Sequence, residues 1–472
     1  MPGADTEVTR LVGDAMAGSR ASPAVLRLAP ASGRLELVER AAAMAEVAGG
    51  VALVIVPTRA EASRLVTLLR RSGRPAVLYP EDWPGAAAGG QVVVGPRNAA
   101  FASLPSLAAV VVLDAHSETL TESRAPTWNA AVVAAERARL ASVPCLLVSP
   151  CPSLELLKSG NLHTESRASE RRGWAPIQVV DRRDEDPHSG LYSEVAVRAA
   201  RDVVSEGAAR PVVFVLNRTG TARYVRCGAC GALVRCENCG AALARAASDA
   251  LSCPRGCGQQ PPVCNECGSR RLKLLAIGTK RATTDIEHLL AIPVAEVTAA
   301  RSPDLEGARA VVGTEAVFHR LTSAELVVFL DFDLDLASPR LRAEEHALSL
   351  LAAASRLVGG RRRGGRVVVQ TRLPDHEVLA AAISADPGKV SEPEQARRAR
   401  LRLPPFRAVA LITGTEAGEL AAVLESEHGL EVAEVERGYL VRAADEQSLC
   451  DALAGARPLG LDARIEVDPL RL

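Results

Sequence analysis

The sequence predicts an α/β chain of two lobes, each a parallel sheet with helices on both faces. A two-metal cysteine module is inserted in the second lobe, and a small α/β domain closes the chain. Three observations predict this. Strand-length apolar runs alternate with helical patterns, the signature of a parallel sheet. Eight of the eleven cysteines lie between Cys227 and Cys267. The length, 472 residues with 48% hydrophobic and 24% charged, is about three domains' worth at roughly 150 residues each.

The first set of elements starts with the buried-strand run VALVIVP (51–57) and a helical pattern from Glu61 to Arg71. Strands QVVV (91–94) and AVVVL (109–113), a helix from Ala130 to Leu140 and a strand from Cys145 to Val148 follow. A second set begins near 195 with a helix, then VVFVL (212–216), the cysteine module and strands at 310–312, 326–331 and 366–370. The polar stretch DRRDEDPHSG (181–190) reads as an interlobe linker, and 384–406 as a second joint. The tail pattern is strand 408–413, helix 417–426, strand 439–443, helix 446–454 and strand 463–468. The expected boundaries are lobe 1 at 1–185, lobe 2 at 186–390 with the module 224–272 inside it, and a C-terminal domain at 391–472.

Lys+Arg and Asp+Glu are both 56, which excludes a globally basic nucleic-acid binder but not local basic faces. Six Phe, three Trp and four Tyr leave few platforms for base stacking. The longest apolar runs, such as 107–113, fall far short of the roughly 20 residues of a membrane span. The N-terminus has no apolar signal region. The expectation is a cytoplasmic chain with no membrane partner, in which cysteines serve metal or chemistry rather than disulfides.

The clustered cysteines form four pairs: Cys227/Cys230, Cys236/Cys239, Cys253/Cys257 and Cys264/Cys267, each followed by glycine (Gly231, Gly240, Gly258, Gly268). Two thiolates on one tight knuckle point at one metal, and glycine accepts the positive φ that such a turn favours. Eight thiolates make two closed tetrahedra, so two structural zinc ions are expected. Spacing alone leaves three ways of pairing the knuckles. From Arg223 to Arg281 there are ten basic and three acidic residues. That is +7, and about +3 once two zinc ions sit on eight thiolates, a charge suited to nucleic acid or an acidic protein. Cys145, Cys151 and Cys450 read as ordinary buried thiols.

Two α/β lobes suggest an ATP-driven motor, but its chemistry is not intact. A phosphate loop needs GxxxxGK[ST], in which backbone amides and the lysine cradle phosphates and the hydroxyl holds magnesium. The equivalent stretch reads APASGRLEL (29–37): Gly33 is followed by Arg34 and by Leu35, which cannot ligate magnesium. After the strand ending at Leu113, Asp114 is followed by Ala115, so no carboxylate orients an attacking water. Asp114 and His116 therefore read as vestigial or structural rather than catalytic.

In series, several motifs resemble the primosomal replication-restart helicase family, PriA. The knuckles CGACG, CENCG, CPRGCG and CNECG follow that family's order within the second helicase lobe. FVLNRTG (214–220), VVGPRNAAF (93–101), SPCPSLE (149–155), VVGTEAVFH (311–319), SPRLRAEEH (338–346), QTRLPDH (370–376), PPF (404–406) and IEVDPL (465–470) resemble its other motifs, in unbroken order over about 25–472. The resemblance implies two RecA-like helicase lobes. It also implies nested pairing of the knuckles: Cys227, Cys230, Cys264 and Cys267 on one zinc, and Cys236, Cys239, Cys253 and Cys257 on the other.

The departures from the family pattern point to a degenerate, actinobacterial-type member. ASGRLE (31–36) stands for the family's GSGKTE, Asp114–Ser117 for DEEH, and AAASRLVGG (352–360) for the arginine-finger segment QVAGRAGR. Such contacts are worth orders of magnitude in rate, so their joint loss argues against hydrolysis. Gly33, Arg34 and Asp114 would mark a degenerate nucleotide site, which leaves ATP binding in doubt. The family's N-terminal 3′-end-binding domain and winged helix have no counterpart here; they are expected to be missing, or the start to be placed too late. The resemblance implies a replication-restart protein of the nucleoid that binds branched or forked DNA and single-strand/duplex junctions, with primosome and single-strand-binding proteins as partners. Its rivals are an active 3′-to-5′ helicase and a primosome scaffold that does not touch DNA. Arg361, Arg362, Arg363 and Arg366 are candidate phosphate contacts, and Arg397, Arg398, Arg400 and Arg402 could line a second basic face.

Overall fold

The computed structural model describes residues 6–19, 22–124, 127–186, 190–217, 224–245, 250–254, 257–274, 278–301, 303–338, 340–435, 437–456 and 460–470. The chain forms two compact units: Met1–Arg171 with Ser391–Val432 and Val441–Asp468, and Arg172–Val390 with Ala433–Leu440 and Pro469–Leu472.

The first unit is built on strands β1 (Ala24–Arg27), β2 (Val51–Ile55), β3 (Ala76–Leu78), β4 (Val92–Gly95) and β5 (Leu107–Leu113). A short ribbon of β6 (Thr121–Glu122) and β7 (Trp128–Asn129) follows, then β8 (Cys145–Ser149) and β9 (Asn161–Thr164). The seven-stranded order is β3-β4-β2-β5-β8-β1-β9, and every neighbouring pair is parallel. Alternate residues of a strand enter opposite cores, because side chains project with period two. Ala52 and Val54 of β2 join Val111 of β5 and the helices α1 (Glu7–Gly18) and α2 (Arg34–Val47) on one face. Leu53 and Ile55 join Val110, Val112 and the helix Ala130–Ala141 on the other. Both faces are covered, which is why these strands read as continuous apolar runs. Helix starts are fixed by side-chain caps: Thr58 accepts from Glu61 N at 3.2 Å and Asn129 from Ala131 N at 2.8 Å.

The second unit holds β10 (Ile177–Asp181), β11 (Val212–Val215), the cysteine module, β17 (Ala295–Val297), β18 (Ala310–Gly313), β19 (Leu326–Phe329) and β20 (Arg366–Thr371). The module's strands are β12 (Val225–Cys227), β13 (Ala244–Arg245), β14 (Leu251–Ser252), β15 (Gln259–Gln260) and β16 (Leu272–Leu274). The six-stranded sheet runs β10-β20-β19-β11-β18-β17, all parallel. These are the two RecA-like lobes that the sequence predicts. Asp181, expected at the start of a linker, ends β10.

The tail forms β21 (Ala408–Thr413), a helix Ala417–Ser426, β22 (Glu431–Val435), β23 (Gly438–Ala443), a helix Glu446–Ala456 and β24 (Arg464–Val467). The strand order β22-β23-β21-β24 with this element sequence is the βαββαβ split motif. No helix among the described residues is long and apolar enough to cross a membrane.

The helix Gly388–Leu401 corrects one expectation. Arg398 is 1% exposed and pairs with Glu394 and, at 2.9 Å, with Glu155. Arg397 pairs with Glu394 and Arg402 with Glu431. Burial and partners, not DNA, account for Arg398. Replacing Arg398 by Ala should cost about 3 kcal/mol, because the buried Glu394 carboxylate loses one of its two arginine partners and Glu155 loses its own. The urea midpoint of Arg398→Ala measures this, and an added Glu394→Leu should restore much of the loss.

Candidate metal centre and degenerate nucleotide loop

Each cysteine pair sits on a hairpin knuckle closed by backbone hydrogen bonds. Gly231 N donates to Cys227 O at 3.0 Å, Gly240 N to Cys236 O at 2.8 Å and Gly268 N to Cys264 O at 2.9 Å. The third knuckle closes through Cys253 N to Gly258 O at 3.0 Å. All four following glycines have positive φ: 75°, 73°, 96° and 69° at Gly231, Gly240, Gly258 and Gly268. This is the conformation the sequence requires of them.

The knuckles meet as two tetrads, Cys227/Cys230/Cys264/Cys267 and Cys236/Cys239/Cys253/Cys257, with the sulfurs of each within 4.8 Å of one another. The nested arrangement is the one implied by the family resemblance. Cys227 Sγ lies 3.6 Å from Cys267 Sγ, Cys230 Sγ 3.7 Å from Cys264 Sγ and Cys239 Sγ 3.5 Å from Cys253 Sγ. A zinc–sulfur distance of about 2.3 Å gives a tetrahedral edge of about 3.8 Å, so the donor sets fit that ion. Burial disfavours the Cys227 thiolate. The N–H groups of Cys230 and Ala229 outweigh this and bring its pKa down to about 7. Cys257 and Cys267 are the exposed members of their tetrads; of the three other cysteines, Cys145 and Cys151 are buried as expected, but Cys450 is exposed on its helix.

The module is anchored to its lobe by apolar and polar contacts. Leu233 and Ala242 pack with Leu334 and Ala337, and Ala242 N donates to Ala337 O at 2.9 Å. Arg226 donates to both oxygens of Asp331 at 2.9 and 3.1 Å. Arg372 lies so close under the first knuckle that a Cβ on Gly231 would meet its guanidinium at 2.7 Å. Close approach is thus a second reason for glycine there. Asp333, 2% exposed, holds Thr371 Oγ1 and Arg372 N.

Asn217, from the FVLNRTG motif, donates to Asp335 at 2.9 Å and accepts from Glu315 N at 2.6 Å. Glu315 in turn meets His346 Nε2 at 2.9 Å. Three motifs read separately in the sequence therefore converge. Arg218, Thr219 and Gly220 of the same motif, Pro339, Leu275–Ile277 after the last knuckle and residues 187–189 of the expected linker lie outside the described residues. Burial pushes the Asp335 carboxyl up to about 7, against the Asn217 hydrogen bond.

The ASGRLE loop follows β1, and its partners follow other strands of the same sheet. Arg34, at the start of α2, pairs with Asp114 beyond β5 at 3.0 Å. Ala115 is buried where a second acid would stand. His116 Nδ1 meets Ser149 Oγ at the end of β8 at 2.8 Å. Gly33 is the N-cap residue of α2 and makes no side-chain cap bond. Arg356 lies in the helix Ala343–Val358, which ends at Gly359 in the left-handed region, φ 84°. Arg361, Arg362 and Arg363 are exposed on the turn that follows, and Arg366 opens β20. Sequence reasoning missed an aromatic pair. Phe101, 60% exposed, meets Trp128 edge-on with centroids 4.9 Å apart. The VVGPRNAAF motif carried the signal for Phe101.

No family model matches the chain. Proteins described as probable replication restart protein PriA, from Mycobacterium bovis and Mycobacterium tuberculosis, are 32% identical over 447 residues, covering 87% of this chain and 67% of theirs. The chain belongs to the PriA replication-restart family. Replication restart protein PriA from Bacillus subtilis is 26% identical over 351 residues, 68% of this chain and 43% of that protein. The chain therefore spans about two thirds of the mycobacterial relatives' length and under half of the Bacillus one. Among solved structures, a variant of yeast Dbp5 bound to RNA and ADP BeF3 aligns with a TM-score of 0.47, 9% identity, 83% of this chain and 93% of that one. RecG bound to a three-way DNA junction aligns with a TM-score of 0.45, 11% identity, 84% of this chain and 47% of that one.

Chelation should release the module and leave both sheets folded, since metal binding supplies the folding energy of such knuckles. Hydrogen exchange should then lose protection at Val225, Leu243 and Leu251 and keep it at Val54 and Val328. In Cys257→Ser, bound metal should fall from two equivalents to one. Asp335 supplies a pH test. An acid raised in the fold adds stability below its unfolded value, and that stability is lost as pH rises through about 7. The wild type should gain stability relative to Asp335→Asn as pH falls from 8 to 5 in paired denaturant titrations.

Proposed function

We propose that this PriA-family chain docks on branched DNA during replication restart and does not hydrolyse ATP. The observation that carries the reading is the composition of the loop region. The position for a phosphate-binding lysine holds Arg34, already paired with Asp114, and Leu35 and Ala115 stand where a hydroxyl and a carboxylate are needed. A loop without magnesium ligand, water-orienting acid and paired arginine finger lacks the parts that stabilise charge on a transferring phosphoryl group.

Each tetrad holds a zinc ion in this reading. Closed four-thiolate sites have no open position, so zinc there supplies cross-linking rather than catalysis. The module keeps its basic excess on a fixed platform, and Arg361, Arg362 and Arg363 add an exposed cluster in the same lobe for phosphate contacts. Phe101 and Trp128 serve the first lobe as a stacking surface. Partners of the family's primosome and single-strand-binding class complete the assignment, and the setting is the cytoplasm, at the nucleoid.

The test is a paired assay on the purified chain. Fluorescence anisotropy reads forked-DNA binding over a salt series, and phosphate release is followed with and without that DNA. The expected result is salt-sensitive binding without turnover, weakened in the triple replacement of Arg361, Arg362 and Arg363 by Ala. DNA-stimulated phosphate release would establish an active helicase instead. Failure to bind at low salt would favour a scaffold.

A further inference from the structure

The loop between β1 and α2 already holds a carboxyl group of the protein. Glu165 follows the edge strand β9 and is 6% exposed. Its Oε2 accepts from Ala29 N at 2.7 Å, and both carboxylate oxygens lie 2.8 Å from Ser32 Oγ. Arg34, next in the loop, pairs with Asp114 at 3.0 Å.

The segment that follows Glu165 is tied down at Ser166, Ser169 and Glu170. Glu7 of α1 accepts from Ser166 N and from the hydroxyls of Ser166 and Ser169. Glu170 is paired with Arg27 at 2.7 Å and with Arg167. Burial holds the Glu165 carboxyl above its ordinary range, with the donors from Ala29 and Ser32 acting against it. A carboxylate kept in so enclosed a place needs its donors, because a buried unpaired charge is costly.

Phosphate-cradling loops present backbone N–H groups, a hydroxyl and a cation to an anion that arrives from solution. Here one amide and the hydroxyl are taken by Glu165 and the cation by Asp114. We infer that Glu165 is a resident anion that closes this loop against phosphate and nucleotide and ties β9 to the β1–α2 turn. The inference rests on the reading of the loop as non-hydrolysing, and deepens it. The loop is not merely short of catalytic groups but filled from within.

Two replacements separate the consequences. Glu165→Gln keeps the shape and an acceptor oxygen for Ala29 N. Glu165→Ala opens the site and leaves Ala29 N and Ser32 Oγ without that acceptor, so a small anion from solution can take its place. Melting temperatures are measured for wild type and both variants in potassium chloride, acetate and phosphate at equal ionic strength, and with Mg-ATP. Wild type and Glu165→Gln should melt alike in all three salts. Glu165→Ala should melt lower in chloride and recover most of the loss in acetate or phosphate.

If Glu165→Ala does not fold in chloride, refolding in phosphate or acetate reads the same property, and failure in all three salts overturns the inference. Equal melting of Glu165→Ala in all salts also overturns it. So does stabilisation of the wild type by Mg-ATP or phosphate beyond the ionic-strength control. Nucleotide binding by the wild type without phosphate release would sink only the filled loop. DNA-stimulated release would sink the non-hydrolysing reading as well.

Discussion

A parallel sheet has no face to give to water, because its crossover helices must lie on both sides. In the first lobe that constraint sends Val54 and Val111 into one core and Leu53 and Val110 into the other. What remains for polar chemistry is the sheet's carboxyl edge, where ligand sites of open α/β sheets gather. The order β5-β8-β1-β9 brings four strand ends side by side. They deliver Asp114, Ser149, the 28–33 loop and Glu165. The constellation is a product of strand order.

The cysteine module obeys a different constraint. Its own apolar cluster is small: Val225, Val234, Ala241, Leu243 and Leu251, with Cys236 and Cys253 among them. Segments with so little core need cross-links to hold one conformation. The knuckles supply the geometry, and the lobe supplies a footing through Arg226, Asp331 and the Leu233–Leu334 contact. The metal sites and the lobe therefore fix different things: the first the inner shape of the module, the second its attachment.

How far the sequence revealed the fold follows from burial. The central strands β2, β5, β8, β11 and β19 are fully or nearly fully buried, so their apolar runs stood out. Two edge strands gave no such signal. Asn161–Thr164 and Glu431–Val435 are largely exposed or half-buried and carry the polar residues that edges require. The tetrads were legible as residues because spacing and the trailing glycines encode local geometry, but their pairing is a long-range fact and needed either the family or the fold. Arg398 was misread for a related reason. A buried arginine bonded to Glu394 and Glu155 has the same local spacing as a solvated one, and Glu155 is distant in sequence.

The pairing of the polar groups around this loop explains why they stand where they do. Arg34 in the loop would be a costly charge among partly buried groups if it stood unpaired, and Asp114, buried at the end of β5, would be costlier still. Each is the other's partner at 3.0 Å, so neither can drift freely once the other is present. Asp114 therefore needs no magnesium to account for its place. The same holds for His116 and Ser149, joined at 2.8 Å, with Ser149 Oγ also accepting from Cys151 N. A site that has lost its reaction can keep its outline in this way, because its polar residues were hydrogen-bonded to one another as well as aimed at a ligand. Of the four positions 114–117 that stand for DEEH, only Asp114 is kept, for reasons of satisfied polarity, and the methyl group of Ala115, where an acid would stand, is the change that bears on hydrolysis.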